Sequence, residues 1–469
     1  MIKLLMLTLI CVVICASEKV SYKNFRVYSI SPKTDSQVQA LIDLQKQGGF
    51  DFWSDVITID KDVRLMVAPE HDGVFVKYAK DIELEANLKV PDVQRLIDEQ
   101  LDTAKNARNS PDTVGSFDWV KYHTLSEINT WLDDLQIAYP DTVSIISSGE
   151  SFEGRDIKGI KIDFLGDKRT DVTGQPLIAM IEGGIHAREW ISPATVTYII
   201  NELLTNKDAN VRILAEAFVW HIFPIINPDG YVYTFTDDRM WRKNRNTLNF
   251  TSCITSNVRD DLSNGVDLNR NFDYDWNTVG VSPNPCAQTF PGTSAASEPE
   301  TQAISRYVLD LSRQGHVVYY FAFHSFSQMT LIPFSNVAGK EALVVENYAD
   351  LYEIAIRGAD KLKEKHGTHY QVGTSKEILY ETSGGSFDWV KASANVTIVY
   401  LFELRDVGEY GFLLPADQII PNAEEIMECL LEIDRMTRQL GYYDYSGSSS
   451  VVGSIVLLVV AVGCLFFGN

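Results

Sequence analysis

Three apolar runs in the sequence lead to residues that can do chemistry. Leu177-Ile178-Ala179-Met180-Ile181 runs through Glu182-Gly183-Gly184-Ile185 to His186; the run 317–323 ends at His324; the run 397–402 ends at Glu403. Continuous apolar runs of this length suit strands covered on both faces, as in α/β sheets. Such sheets form their sites outside the carboxyl ends of the strands, so the three residues are expected to converge. Glu189 stands three residues after His186. Zinc takes imidazole and carboxylate ligands, and its catalytic sites use three protein ligands and keep a fourth position open. His186, Glu189 and His324 would supply two imidazoles and one carboxylate. The short His-x-x-Glu spacing is weak by itself. His221, also in an apolar run (217–223), is read as a structural histidine.

Cationic and glycine-bearing segments accompany these residues. Met240-Trp241-Arg242-Lys243-Asn244-Arg245-Asn246 packs three cations, Gly265-Val266-Asp267-Leu268-Asn269-Arg270-Asn271-Phe272 holds another arginine, and Leu379-Tyr380-Glu381-Thr382-Ser383-Gly384-Gly385-Ser386-Phe387 is a loop with a tyrosine. Arginine-rich loops beside a metal would attract an anionic ligand end, and the guanidinium fork matches a carboxylate. The chain as a whole is acidic: Lys+Arg 41 against Asp+Glu 63 gives −22. That balance argues against nucleic acid as a partner. Hydrophobic residues at 45% and charged residues at 22% exclude a disordered chain. Six cysteines are too few for a disulfide-framework scaffold.

The elements that must position these groups fall into two units. The first alternates: a strand over 25–30, a helix over 35–47 capped by Asp35 or Ser36, a half-buried strand over 62–69, and a helix near 74–82. This suits a small α+β sandwich. A charged helix over 91–107 then runs into Asn106-Ala107-Arg108-Asn109-Ser110-Pro111, a polar, turn-prone linker open to proteolysis. The second unit starts near Tyr122 and reads as α/β. In it Ser192-Pro193 looks like a cap and first turn, and the last helix, 422–440, stops at Gly441.

Both ends of the chain read as addresses. Met1-Ile2-Lys3, an apolar run to Cys15 and the small Ala16 form a secretory signal peptide over 1–16, too short to span a bilayer. Ser446-Gly447-Ser448-Ser449-Ser450 is followed by a greasy tail with no basic residue after it, so 446–469 fits a glycosylphosphatidylinositol anchor signal and a membrane tether. A spanning helix or an unprocessed tail are the alternatives. The sequons Asn249-Phe250-Thr251 and Asn395-Val396-Thr397 agree with the secretory route.

In order along the chain, His186-Ala187-Arg188-Glu189-Trp190, Trp241-Arg242-Lys243-Asn244-Arg245, Gly265-Val266-Asp267-Leu268-Asn269-Arg270-Asn271, His324-Ser325-Phe326-Ser327-Gln328, Ser383-Gly384-Gly385-Ser386 and Phe402-Glu403-Leu404-Arg405-Asp406 resemble the zinc metallocarboxypeptidases, and within them the pancreatic A/B type made as a zymogen. The resemblance covers about residues 20–440. It implies a carboxypeptidase-like mixed twisted sheet flanked by helices over 109–443, preceded by a ferredoxin-like activation pro-domain over 18–108. It implies one Zn²⁺ held by His186, Glu189 and His324, with Glu403 as general base and Arg245 as the oxyanion donor. Asn269, Arg270 and Tyr380 would hold the substrate's terminal carboxylate, and Arg188 and Arg242 would line the approach. Peptide or protein C-termini would be the substrates, with a trypsin-like protease cutting at Arg108, or at Lys105. Phe387 matches the base of the side-chain pocket, with Leu331, Leu379 and Leu401 adding apolar wall; hydrophobic C-terminal residues are therefore expected. Cys253 and Cys286 fit the family's disulfide, leaving Cys429 free. The rival reading is a catalytically silent relative that binds peptide ends; it would lack the base, the oxyanion arginine or a ligand, and all these positions are filled.

Overall fold

The computed structural model describes residues 19–45, 49–54, 56–107, 117–164, 170–171, 173–248, 264–335 and 345–443. The expected signal peptide over 1–16, Arg108, the Asn249 sequon, Cys253 and the tail 446–469 lie outside the described residues, as does the side chain of Lys105.

The first unit holds four strands: β1 (Arg26–Ile30), β2 (Phe50–Phe52), β3 (Val63–Val67) and β4 (Ala86–Val90). They pair in the order β2-β3-β1-β4, antiparallel throughout. Side chains alternate across a sheet with period two. Tyr28, Ile30, Leu65 and Val67 accordingly face the helices Asp35–Gln45 and Pro69–Asp81, where Leu41, Leu44, Phe75 and Ala79 close a core. Val27 and Met66 face the other way. They pack with Trp53, Val93, Leu96 and Ile97 against Met240, Phe412 and Leu413 of the second unit. That second contact explains why β3 is buried along its whole length, where the alternation had suggested one wet face. The helix read near 74–82 in fact starts at Pro69, with proline in the first turn beside Glu70 and Asp72. Proline tolerates that position and acids favour the positive end of the helix.

The second unit is built on β5 (Val143–Glu150), β6 (Asp156–Ile162), β7 (Leu177–Glu182), β8 (Val219–Phe223), β9 (His316–Ser325), β10 (Met329–Ile332), β11 (Gln371–Thr374) and β12 (Ile398–Leu404). Their order is β11-β10-β12-β9-β7-β8-β6-β5. The centre, β12-β9-β7-β8, is parallel. β10 against β12, and β5 and β6 on the far side, pair antiparallel, so the sheet is mixed. Leu177, Ala179 and Ile181 enter the core on one face, which also takes the helices Ile191–Thr205 and Ile419–Gln439. Ile178 and Met180 enter the core on the other, with the helix Pro299–Gln314. Each fully buried leucine, isoleucine or methionine among these contributes about 1.5–3 kcal/mol.

One local expectation fails. The helix after the first motif begins at Ile191, and Ser192 lies inside it without capping it. Its hydroxyl instead donates to Phe323 O at 2.6 Å and accepts from Gly184 N–H at 3.0 Å, tying the loop after β7 to β9.

Candidate active site

The loop after β7 is shaped by two glycines. A Cβ on Gly183 would sit 2.8 Å from Pro224 O, and Gly184 has φ +61° with a Cβ position 3.1 Å from Ile225 Cα. Only glycine tolerates both the approach and the left-handed turn. The loop brings His186 and Glu189 above the sheet, facing the end of β9. His186 Nδ1 lies 2.8 Å from Glu189 Oε1, His324 Nδ1 lies 3.4 Å from Glu189 Oε2, and the two Nδ1 atoms are 3.2 Å apart. All three residues are buried, and one ligand atom from each falls within 4.8 Å of the others. Two imidazole nitrogens and a carboxylate turned toward one point fit a divalent ion better than one another. Tetrahedral ligation at roughly 2.0–2.1 Å sets ligand edges of about 3.3 Å, which these separations already approach.

A carboxylate supports the site from behind. His186 Nε2 lies 3.1 Å from Asp267 Oδ1, the arrangement that orients a ligating imidazole. Asp267 also accepts from Arg242 Nε at 3.2 Å and Nη2 at 2.9 Å. Burial works against its charge, yet Arg242 and His186 hold its carboxyl well below the usual range. Burial likewise opposes the charge of Glu189, but His186 and His324 keep it ionised. Sequence reasoning missed Asp267 as this partner; the signal for it is that a ligand histidine needs a hydrogen-bond partner for its second nitrogen.

Glu403 is set beside His324 by backbone register. β9 and β12 run parallel with His324 and Glu403 directly paired. A cleft of about 450 Å³ contains His186, Glu189, His324 and Glu403 together with Arg242, Asn269, Arg270, Tyr380 and Phe387. Leu331, Leu379 and Leu401 line it as well. Gly384, at φ +73°, lets its loop lie against Arg270, where a Cβ would come within 2.2 Å of Arg270 O. His221 is remote from these groups: its Nδ1 meets Tyr307 Oη at 2.7 Å, and burial pushes its pKa down to about 3. Cys429 is a buried free thiol.

Two arginines are not where they were expected. Arg245 does not line the cleft: its guanidinium stacks 3.6 Å over Tyr233 and 4.4 Å over Trp241. The cation of that segment that does face the ligands is Arg242, whose Nη1 lies 3.8 Å from Glu189 Oε1. Arg188 is fully buried. It lies 4.0 Å over Phe412, with Nη1 3.3 Å from Asp51 Oδ2 of the first unit.

The first unit closes the mouth of the cleft. Trp53, Asp60, Lys61, Asp62 and Arg64 belong to the lining. Trp53 packs on Phe412 and Phe326. Arg64 Nε donates to Gly408 O at 2.8 Å and Lys61 Nζ to Ile378 O at 3.0 Å. Sequence patterning gave no sign of these contacts, because they come from the loop between β2 and β3 and from the polar Arg64 within β3.

Comparison with known proteins agrees with this geometry. A family model described as zinc carboxypeptidase matches residues 128–429, and one described as carboxypeptidase activation peptide matches 28–100. The chain belongs to the zinc carboxypeptidase family. It is 37% identical over 432 residues to zinc carboxypeptidase A 1 of Anopheles gambiae, covering 92% of this chain and 93% of that one. With carboxypeptidase B of Astacus astacus it shares 41% over 312 residues, 66% of this chain and 95% of the other. Among solved structures, carboxypeptidase A from Helicoverpa armigera is similar with a TM-score of 0.76 at 28% identity, over 91% of this chain and all of that one. This carboxypeptidase is therefore a zinc-dependent hydrolase with an activation peptide, an exopeptidase made as a zymogen.

Proposed function

We propose that the cleft removes one hydrophobic residue at a time from peptide C-termini, with His186, Glu189 and His324 holding the zinc ion. The observation that carries the reading is the convergence of those three ligand atoms beside Glu403 and Arg242, with Asn269, Arg270 and Tyr380 in the same cleft. When bound, the ion supplies Lewis acidity toward the scissile carbonyl and makes water a better acid. Glu403 takes the proton of the attacking water and returns it to the departing amine. Arg242, in place of Arg245, donates to the oxygen that gains charge, an interaction worth about 3–4 kcal/mol when preorganised. Asn269, Arg270 and Tyr380 bind the terminal carboxylate, which restricts cleavage to the last residue. Phe387, with Leu331, Leu379 and Leu401, offers an apolar pocket to its side chain.

The remaining assignments belong to the same reading. Residues 18–108 form the activation segment, released by a trypsin-like cut at Arg108 or Lys105, and 109–443 the catalytic domain. Cys253 pairs with Cys286. The protein is extracellular, and the tail 446–469 tethers it to the membrane through a lipid; phosphatidylinositol-specific phospholipase should release it from cells, and retention would exclude the anchor. The decisive test of the activity is digestion of a peptide library by the trypsin-activated protein, read by mass spectrometry. Single-residue loss from free C-termini, absent for amidated peptides, abolished by a chelator and restored by zinc, is the expected result. Internal cuts, or equal cleavage of amidated peptides, would refute it.

A further inference from the structure

Beneath the cleft runs a polar chain that the roles above leave unused. Glu182, the last residue of β7, is 1% exposed, and burial pushes its carboxyl up to about 6. A carboxyl at the end of an apolar strand is costly to bury unless its hydrogen bonds repay the loss. Glu182 Oε1 accepts from Ser386 Oγ at 2.5 Å. Ser386 is fully buried and opens the helix Ser386–Ser393, whose second residue is Phe387. Its backbone N–H donates to Asn269 Oδ1 at 2.9 Å. A backbone N–H can only donate, so the amide of Asn269 must turn its oxygen to Ser386. Its Nδ2 donors are then left for the cleft that Asn269 lines. Three separate segments thus meet at Ser386: the end of β7, the Asn269 turn and the helix that floors the side-chain pocket.

We propose that Glu182 is a positioning residue for recognition of the substrate's terminal carboxylate, acting through Ser386 to fix both the orientation of Asn269 and the seat of Phe387. The proposal rests on the assignment of Asn269 to the carboxylate. Removing the acceptor takes from Ser386 Oγ the carboxylate it donates to at 2.5 Å, leaving Tyr320 as its polar neighbour, and frees the helix start to shift.

The test uses the full-length protein activated by trypsin. Glu182→Leu should raise KM for a free-carboxylate dipeptide substrate about tenfold, with kcat changed less than about threefold. Glu182→Gln keeps an acceptor oxygen and should restore KM to within about twofold. Ser386→Ala should raise KM like Glu182→Leu, and the double variant should add nothing, since partners in one chain are not additive. Zinc content, measured by elemental analysis, should stay at one per chain in all variants. An unchanged KM with a lowered melting temperature would reduce Glu182 to a structural residue and overturn the proposal. A loss confined to kcat, a drop in zinc content, or additive effects would overturn it as well. Asn269→Ala, run alongside, separates the two layers: if it leaves KM unchanged the carboxylate assignment fails, and if it raises KM while Glu182→Leu does not, only the relay fails. Should Glu182→Leu not fold, Glu182→Gln compared with Ser386→Ala still decides, because only the relay predicts that the first spares KM and the second does not.

Discussion

Arg242 and Arg245 sit three residues apart, and replacing each with methionine distinguishes cleft from scaffold. Arg242 donates two hydrogen bonds to Asp267 and turns its remaining face toward the ligands. Losing a preorganised donor of this kind costs about 3–4 kcal/mol in the transition state, or roughly 10²–10³ in kcat. Arg245 is buried against two rings, at 3.6 and 4.4 Å. A desolvated cation–π contact is worth about 2 kcal/mol, so its loss should appear as stability. The expected pattern for Arg242→Met is a kcat more than a hundredfold lower, together with a lower melting temperature because the buried Asp267 loses its cation. For Arg245→Met it is a melting temperature lower by a few degrees with turnover within about threefold. The assay is single-substrate kinetics on the activated enzyme beside thermal denaturation of the same preparation. If Arg245→Met loses a hundredfold in kcat without destabilisation while Arg242→Met stays active, the facing argument is wrong and Arg245 is the donor.

Other outcomes follow from the same geometry. Glu403→Gln should bind substrate normally yet lose turnover by orders of magnitude; equilibrium binding of a slow substrate beside its turnover checks this, and near-normal rates would remove Glu403 as the base. Phe387→Asp should shift cleavage toward Lys and Arg termini in a library digest, and an unchanged profile would dismiss the pocket assignment. Glu300 is buried, and burial together with the neighbouring Glu298 pushes its carboxyl up to about 7. Its folded pKa is raised, so the native state holds the extra proton: the stability it contributes is full below about pH 4.5 and is lost as pH rises through about 7. Glu300→Gln should therefore flatten the fall in stability between pH 5 and 8, by up to about 3 kcal/mol in denaturant titrations. A difference that does not vary with pH would contradict the assignment.

The groups that sit on regular elements were legible in the sequence. His324 and Glu403 end apolar runs, and such runs in a parallel sheet deliver their last residues to one edge. The two-unit organisation showed in the change of pattern near residue 110. What could not be read is what irregular backbone decides. The segment carrying Arg242 and Arg245 has no period from which a face follows. Its course is set by long-range backbone bonds, Ala187 N–H to Arg242 O at 3.0 Å and Asn244 N–H to Val266 O at 3.0 Å. Ser192 has the composition of a cap but is claimed by Gly184 and Phe323, a tertiary demand that overrides local preference. The continuous burial of β3 was hidden because its second face is covered by a unit distant in sequence. For Glu182 the available clue is an acid closing an apolar strand.

The ladder between β9 and β12 pairs Phe402 with Phe323, Glu403 with His324 and Leu404 with Ser325. Successive side chains on a strand point to opposite faces. A slip of one residue in this ladder would turn the acid away from the imidazole and put phenylalanine or leucine in its place. An insertion or deletion within 398–402 should therefore cost both activity and stability, because every side chain in that stretch is buried, whereas a swap between apolar residues of equal volume leaves the pairing of acid and imidazole in place.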